Sequence, residues 1–297
     1  MLPACLPDTT NYDFDAWLIS VRHFLCTRAK MQMVASDRAR RENVPGYILF
    51  IERINSMQLD MTKGKPLPVI LQFTIPLVIG NIFQQLYNMA DTIIVGRCVG
   101  AGALAAVGST GTIMFLATGF AQGITAGFSI LTAQRYGAGD EKGVKRSVAN
   151  GIILAVIAAV ILTLVCVSIM NPLLHLMNTP SDIFQDASTY IMGISIGLTA
   201  NIFYNLFSAY LRAVGNSQVP LFFLIFSACL NVGLDLLFII RGGMGVAGAA
   251  WATNLSQAIS AVLCAGYIWV KVPSLKPDRE HWKIHGNDTR NQLAAGN

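Results

Sequence analysis

From Leu67 to Val95 the chain is apolar at almost every position, yet Asn81, Gln84, Asn88 and Asp91 recur through it at steps of three, four and three. That spacing stacks the four polar side chains along one face of a helix and leaves the other faces apolar. The run is long enough to cross a bilayer, which takes about 20 mostly apolar residues. Its polar stripe cannot face lipid, because a charged carboxylate near mid-span costs at least about 2.5 to 3.5 kcal/mol. The stripe is therefore expected to look into a bundle interior or an aqueous cavity.

Five more hydrophobic runs follow, Leu104 to Ala133, Val148 to Met170, Ala187 to Leu211, Val219 to Ile240 and Val246 to Val270, separated by short polar breaks. The pattern predicts an all-α integral membrane protein built as a six-transmembrane-helix bundle. Three of these runs carry their own polar stripe: Asn201, Asn205, Ser208 and Arg212 in the fourth span, Ser227, Asn231 and Asp235 in the fifth, and Thr253, Gln257 and Ser260 in the sixth. Hydrogen bonding between helices explains any single Asn, Ser or Thr of this kind. It explains Asp91 and Asp235 less well, since no Lys or Arg lies at comparable depth. A buried carboxylate without a cationic partner takes a proton or coordinates a cation, and either makes the cavity cation-responsive.

Pro76 removes a backbone hydrogen bond inside the first span and is expected to kink it, as a working hinge or as a fixed bend. Gly119, Gly123 and Gly127 repeat at four-residue spacing in the second span, as Gly193 and Gly197 do in the fourth. Such repeats predict close helix contacts.

Composition agrees with the pattern: 54% of the 297 residues are hydrophobic and only 12% charged, so lipid is the expected solvent. The net charge of +5 arises in tails and loops and does not call for nucleic acid. Lys63 and Lys65, then Arg135, Lys142, Lys145 and Arg146, then Arg212, then Lys271, Lys276, Arg279 and Lys283 fall in alternate connections, whereas the connection from Asn171 to Phe184 has no Lys or Arg. The positive-inside rule makes both ends of the six-span unit cytoplasmic, in a plasma or inner membrane. Six scattered cysteines form no CxxC or Cys/His pattern.

The organisation expected is a mixed polar extension over 1–56, disordered or a mis-assigned start, a six-helix lobe over 57–272, and a cytoplasmic tail over 273–297. No HExxH, GxSxG or Walker-type loop is present, so zinc hydrolysis, serine hydrolysis and ATP-driven pumping find no support. An intramembrane aspartyl protease would need a glycine-flanked acid, and Asp91 in NMADTIIV and Asp235 in NVGLDLLF are not of that kind. The chain is not expected to be an enzyme or to carry an organic cofactor or a metal centre. Periodicity alone leaves a passive pore and an alternating-access carrier both open.

Several stretches together, and in this order, are specific: LQFTIPLVIGNIFQQLYNMADTIIVG, ALAAVG, AQRYGAGDEKGVKRSVAN, LRAVGNSQVPL, LNVGLDLLFI and GVAGAAWATNLSQ. Between about Asp60 and Pro277 the chain resembles the multidrug and toxic compound extrusion (MATE) transporters. The resemblance implies the N-terminal lobe of a twelve-span antiporter that is driven by protons or sodium ions and exports mostly cationic organic compounds. Carried over by position, it implies a monovalent cation site at Asp91 and Asp235 with Asn231, Asn205 and Thr253. Gln84, Asn88, Asn81 and Ser208 are then expected in the substrate cavity, with Pro76 as hinge. The partners implied are the lipid bilayer, organic cations and a second six-helix lobe, which the tail of this chain would join as a truncated linker. Two other readings stay open: a non-transporting fragment or scaffold, and a flippase for lipid-linked precursors.

Overall fold

The computed structural model describes residues 66–282, 288–290, 292 and 294. The expected extension over 1–56 and the basic residues Lys63, Lys65 and Lys283 lie outside the described residues. Among those described there is no strand, and six long helices follow one another: α1 (Pro66–Cys98), α2 (Ala101–Gly137), α3 (Glu141–Leu176), α4 (Ser181–Ala213), α5 (Gln218–Asp235), wound on as a π-helix over Leu236–Arg241, and α6 (Gly245–Lys271). Two 3₁₀ turns, Pro273–Leu275 and Arg279–Trp282, follow. Helices α2 to α5 are long and apolar enough to cross a membrane by length and composition.

Each helix contains its hydrophobic run and extends past it into polar residues. The clearest start is that of α3, where the Asp140 carboxylate caps the helix by accepting from the Gly143 amide at 2.9 Å. Just before it Gly139 takes φ 73°, a left-handed conformation that glycine adopts without steric cost. The connections are too short for anything but antiparallel neighbours. Helix α4 packs along α2, α6 and α3, while α5 packs on α6 and α1.

The burial pattern is that of a protein whose solvent is hydrocarbon. Leu116, Leu164, Val262 and Val270 stand outward, each more than 60% exposed, while the interior holds alanines, Thr110, Thr125, Ser195 and Ser256. A cluster of Ile94, Val95, Ala103, Val107, Tyr190, Ile239, Val246, Ala249 and Ala250 closes the end of the bundle where α1 meets α2 and α5 meets α6.

The two glycine repeats fare differently. A β-carbon at Gly193 would come within 2.7 Å of the Ala250 methyl, and one at Gly197 would strike the Asn254 carboxamide, so α4 and α6 do touch at glycines. Gly119 and Gly123, by contrast, have no neighbouring atom within 4 Å of that position. The expectation of close contact there is corrected: their missing side chains leave space, and Gly119 borders a cavity. Helix α1 runs through Pro76 without interruption.

The tail packs onto the end of the bundle that carries the α2–α3 connection. Leu275 is fully buried, Lys145 Nζ donates to Asp278 Oδ2 at 2.9 Å, and the Arg135 guanidinium forks onto the Asp288 carboxylate. Gln292, also fully buried, accepts from Asn150 Nδ2 at 2.6 Å and donates to the Ser147 carbonyl at 2.8 Å and the Phe128 carbonyl at 3.3 Å. The exposed Asp278 carboxyl is held below the usual carboxylate range, chiefly by the Lys145 hydrogen bond.

Candidate functional site

The polar stripe of α1 faces a cavity of about 630 Å³, a size suited to a small organic molecule. Asn81, Gln84, Asn88 and Asp91 all line it. The opposite walls are Gly108, Gly111, Thr118 and Gln122 of α2, Tyr190, Ile194 and Asn201 of α4, and Thr253, Asn254 and Gln257 of α6. No Lys, Arg or His is among the lining residues.

Asp91 is set into the cavity wall, only 7% exposed, and the Tyr190 hydroxyl approaches its Oδ2 at 3.5 Å. Asp235 lies behind it, fully buried, with the two carboxyl groups adjacent to one another. Asn231, one turn before Asp235 on α5, faces both Asp235 and Thr253. With the amide oriented by its neighbours, its nitrogen donates to Asp235 Oδ2 at 3.2 Å and its oxygen accepts from the Thr253 hydroxyl at 3.3 Å. Among the described residues no N–H or hydroxyl donor reaches Oδ1 of either aspartate. The Tyr87 hydroxyl, buried one turn before Asp91, sits beside Thr253 and Gln257. Among the described residues no three His, Cys, Asp or Glu side chains gather as a metal-binding group.

The structure thus joins Asp91, Asp235, Asn231 and Thr253 in one cluster. It sets Asn205 apart from them: that amide donates to Asn201 on its own helix at 2.9 and 3.0 Å and lines a small recess with Gln84, Tyr87, Ser227 and Gln257. Ser208 is buried beside Tyr204 and Cys264 and lines neither cavity. The reason is depth along the helix: at steps of four, three and four Ser208 stays near the face of Asn201 but lies seven residues, about 10 Å, further along α4, past the residues that line the cavity.

Tyr87, Tyr190 and the whole α2 wall escaped the reading of polar stripes. Tyr87 is three residues after Gln84 and four before Asp91, so the α1 stripe contained it. Tyr190 continues the α4 face back through Ile194 and Gly197 to Asn201 at steps of four, three and four. On α2 the signal is Gly108, Gly111, Thr118 and Gln122, small and polar residues on one face. Also unforeseen was the π-helical winding that starts right after Asp235. It brings Phe238 and Ile239 within 3.1 to 3.3 Å of the space above Gly248 and so beds α5 on α6.

Residues 76–237, more than half of the chain, match the family model described as MatE. The chain belongs to the MatE family. It is 32% identical over 209 residues to the "Probable multidrug resistance protein YpnP" of Bacillus subtilis, covering 70% of this chain and 47% of that relative. To the "Probable multidrug resistance protein NorM" of Thermotoga maritima it is 29% identical over 197 residues, 65% of this chain and 42% of the relative. Among solved structures it resembles a MOP superfamily transporter from Pyrococcus furiosus with TM-score 0.75 and 28% identity, covering 80% of this chain and 53% of that one. An outward-facing multidrug resistance MATE transporter of the MOP superfamily also superposes with TM-score 0.75 at 28% identity over 80% and 53% of the two chains. The chain therefore spans about half the length of the relatives it matches. It is a multi-pass membrane protein of a multidrug efflux family, and the MATE fold is built from two six-helix lobes, of which this chain covers part.

Proposed function

We propose that this chain is the N-terminal lobe of a cation-coupled antiporter that, with a second six-helix lobe, exports organic and mostly cationic compounds. The observation that carries this reading is the adjacent pair Asp91 and Asp235 at the wall of a cavity without a basic side chain. Two adjacent carboxyls desolvated together repel when both are charged, so a proton or a sodium ion is drawn to the pair. Asn231, Thr253 and the carboxyl oxygens supply hard oxygen atoms of the kind a small cation takes. Gln84, Asn88 and Asn81 offer amides to the polar part of a cargo molecule, and Met114 and Phe115 offer apolar surface.

Coupling then follows from linkage. Loading the pair with a cation neutralises buried charge and favours the lobe conformation that holds it neutral, and it weakens attraction for a cationic cargo in the same cavity. Pro76, where α1 lacks a ladder hydrogen bond, is the point at which that helix bends as the pair is loaded. Both ends of the lobe face the cytoplasm of a cell bounded by the plasma or inner membrane.

The test is efflux in a strain stripped of its own exporters. The chain alone should confer little resistance to cationic dyes, and co-expression with a complementary six-helix lobe should confer resistance that collapses with the proton or sodium gradient. Gradient-independent resistance, or full efflux from the chain alone, would count against the reading.

A further inference from the structure

From the carboxylate pair towards the end that carries the α4–α5 connection, the interior of the lobe stays polar. Tyr87, which sits beside both aspartates, borders with Gln257 a small recess that has room for water. The far wall of that recess is Asn205, Ser227 and Tyr204. Tyr204 in turn lies beside Ser208, Ser208 beside Cys264, and both Tyr204 and Cys264 beside Arg212 in the last turn of α4. On α6, Ser260 stands on the same face, three residues after Gln257 and four before Cys264. A file of hydroxyls and amides thus runs from the pair to the end of α4.

Two features set this file apart from ordinary hydrogen bonding between helices. The hydroxyls of Tyr87, Ser208 and Ser260 are buried and meet no hydrogen-bond partner among the described residues. A buried hydroxyl without a protein partner is costly and is satisfied by water, so the file is hydrated. The second feature is a bare charge at its end. Among the described residues the ion pairs join Arg135 to Asp288 and Asp278 to Lys145 and His281, and none reaches Arg212. The titratable groups beside Arg212 are Tyr204 and Cys264, neither of them a carboxylate.

We propose that Arg212 is an electrostatic plug, whose fixed positive charge stops protons and metal cations from passing along this hydrated file between the cytoplasm and the Asp91–Asp235 pair. The pair is then loaded from the cavity alone. Hydroxyls and water relay a proton by accepting one and releasing another, so the file needs no open channel to conduct it. An unpaired guanidinium with little water to screen it raises the barrier for any cation at that end. Arginine keeps its charge throughout the physiological range, so the plug does not titrate. An antiporter needs such a barrier, because a pair in touch with both sides at once would dissipate the gradient that drives it. The inference rests on the pair being a cation site.

The experiment places the whole chain in liposomes that hold a pH-sensitive dye, clamps the potential with valinomycin and potassium, and follows the decay of an imposed pH step. Liposomes with the parent chain should leak no faster than empty ones. Arg212→Gln should raise proton permeability about tenfold, whereas Arg212→Lys, which keeps the charge, should not. Adding Ser208→Val or Asp235→Asn to Arg212→Gln should abolish the leak. Arg212→Met serves if the Gln variant fails to insert, and Lys145→Gln, at the same end of the lobe, should change nothing. Hydration is read separately by hydroxyl-radical footprinting, which oxidises side chains that touch water. It should oxidise Cys264, which is 0% exposed, and spare Cys166, which is 5% exposed. A tight Arg212→Gln, a leaking parent, or an equal leak from Lys145→Gln overturns the plug and leaves the cation-site reading standing. Failure of that reading shows instead as a leak that survives Asp235→Asn, and it overturns the proposal too. A Cys264 as protected as Cys166 overturns the hydrated file and the plug with it.

Discussion

Replacing Gln292 by Ala should destabilise the lobe out of proportion to the position of that residue in a tail. The side chain is fully buried and makes three hydrogen bonds, to Asn150 of α3 and to the carbonyls of Ser147 on α3 and Phe128 on α2. The two carbonyls sit inside helices and keep their ladder partners, so losing the extra donor costs about 0.5 to 1.5 kcal/mol each. The Asn150 amide nitrogen is left buried without its acceptor, which costs about 1 to 3 kcal/mol. Allowing for partial rehydration of the vacated site, the sum is about 2 to 4 kcal/mol. The same tail supplies its own control: the Lys145–Asp278 pair is on the surface, with Asp278 58% exposed, and its loss should barely move the midpoint. Unfolding in mixed micelles, followed by the fluorescence of Trp282 and by helicity, measures both, and Gln292→Met separates the lost hydrogen bonds from the lost volume. If Gln292→Ala shifts the midpoint no more than Asp278→Ala does, the tail is not docked as described.

Gly151→Ala places a β-carbon against the Tyr210 hydroxyl and should cost about 1 to 3 kcal/mol, and Tyr210→Phe should recover most of it, as a thermal unfolding series of the three variants will show. Gly193→Val should destabilise the α4–α6 contact at Ala250, while Gly119→Ala should leave stability within about 0.5 kcal/mol, the two being compared in the same micelles. In a background without native cysteines, a cysteine near Lys142 should be shielded from an impermeant thiol reagent added outside intact cells and one near Asn178 should react; the reverse would invert the topology.

The six helices were legible because lipid imposes continuous apolar runs, and each run is found inside its helix. The carboxylate pair was legible for the same reason in reverse: an acid is costly in such a run, so Asp91 and Asp235 announced themselves. What the sequence concealed is whatever depends on the meeting of helices. Ser208 shares a stripe with Asn201 and Asn205 by counting, yet it lies further along α4 than the cavity reaches and packs beside Tyr204 and Cys264. Glycine spacing reads alike in α2 and α4, but Gly193 and Gly197 have Ala250 and Asn254 pressed against them, whereas Gly119 and Gly123 have open space. Tyr87 and Tyr190 pass for apolar body until the hydroxyl is seen to point at Thr253 or Asp91. The buried place of Gln292 depends on residues 142 to 164 positions earlier in the chain, a separation that no local pattern encodes.

The central claim is that Asp91 and Asp235 together hold a cation, and direct binding tests it most simply. Purified chain would be titrated with sodium at fixed pH by calorimetry, and proton uptake would be followed with an indicator dye across a pH series. The parent should bind sodium or take up a proton in a step that Asp91→Asn and Asp235→Asn each remove while the protein stays folded. Ser208→Ala, buried away from the cavity, should leave that step unchanged. If both aspartate variants bind the cation as the parent does, the pair serves the fold alone and the coupling account is wrong.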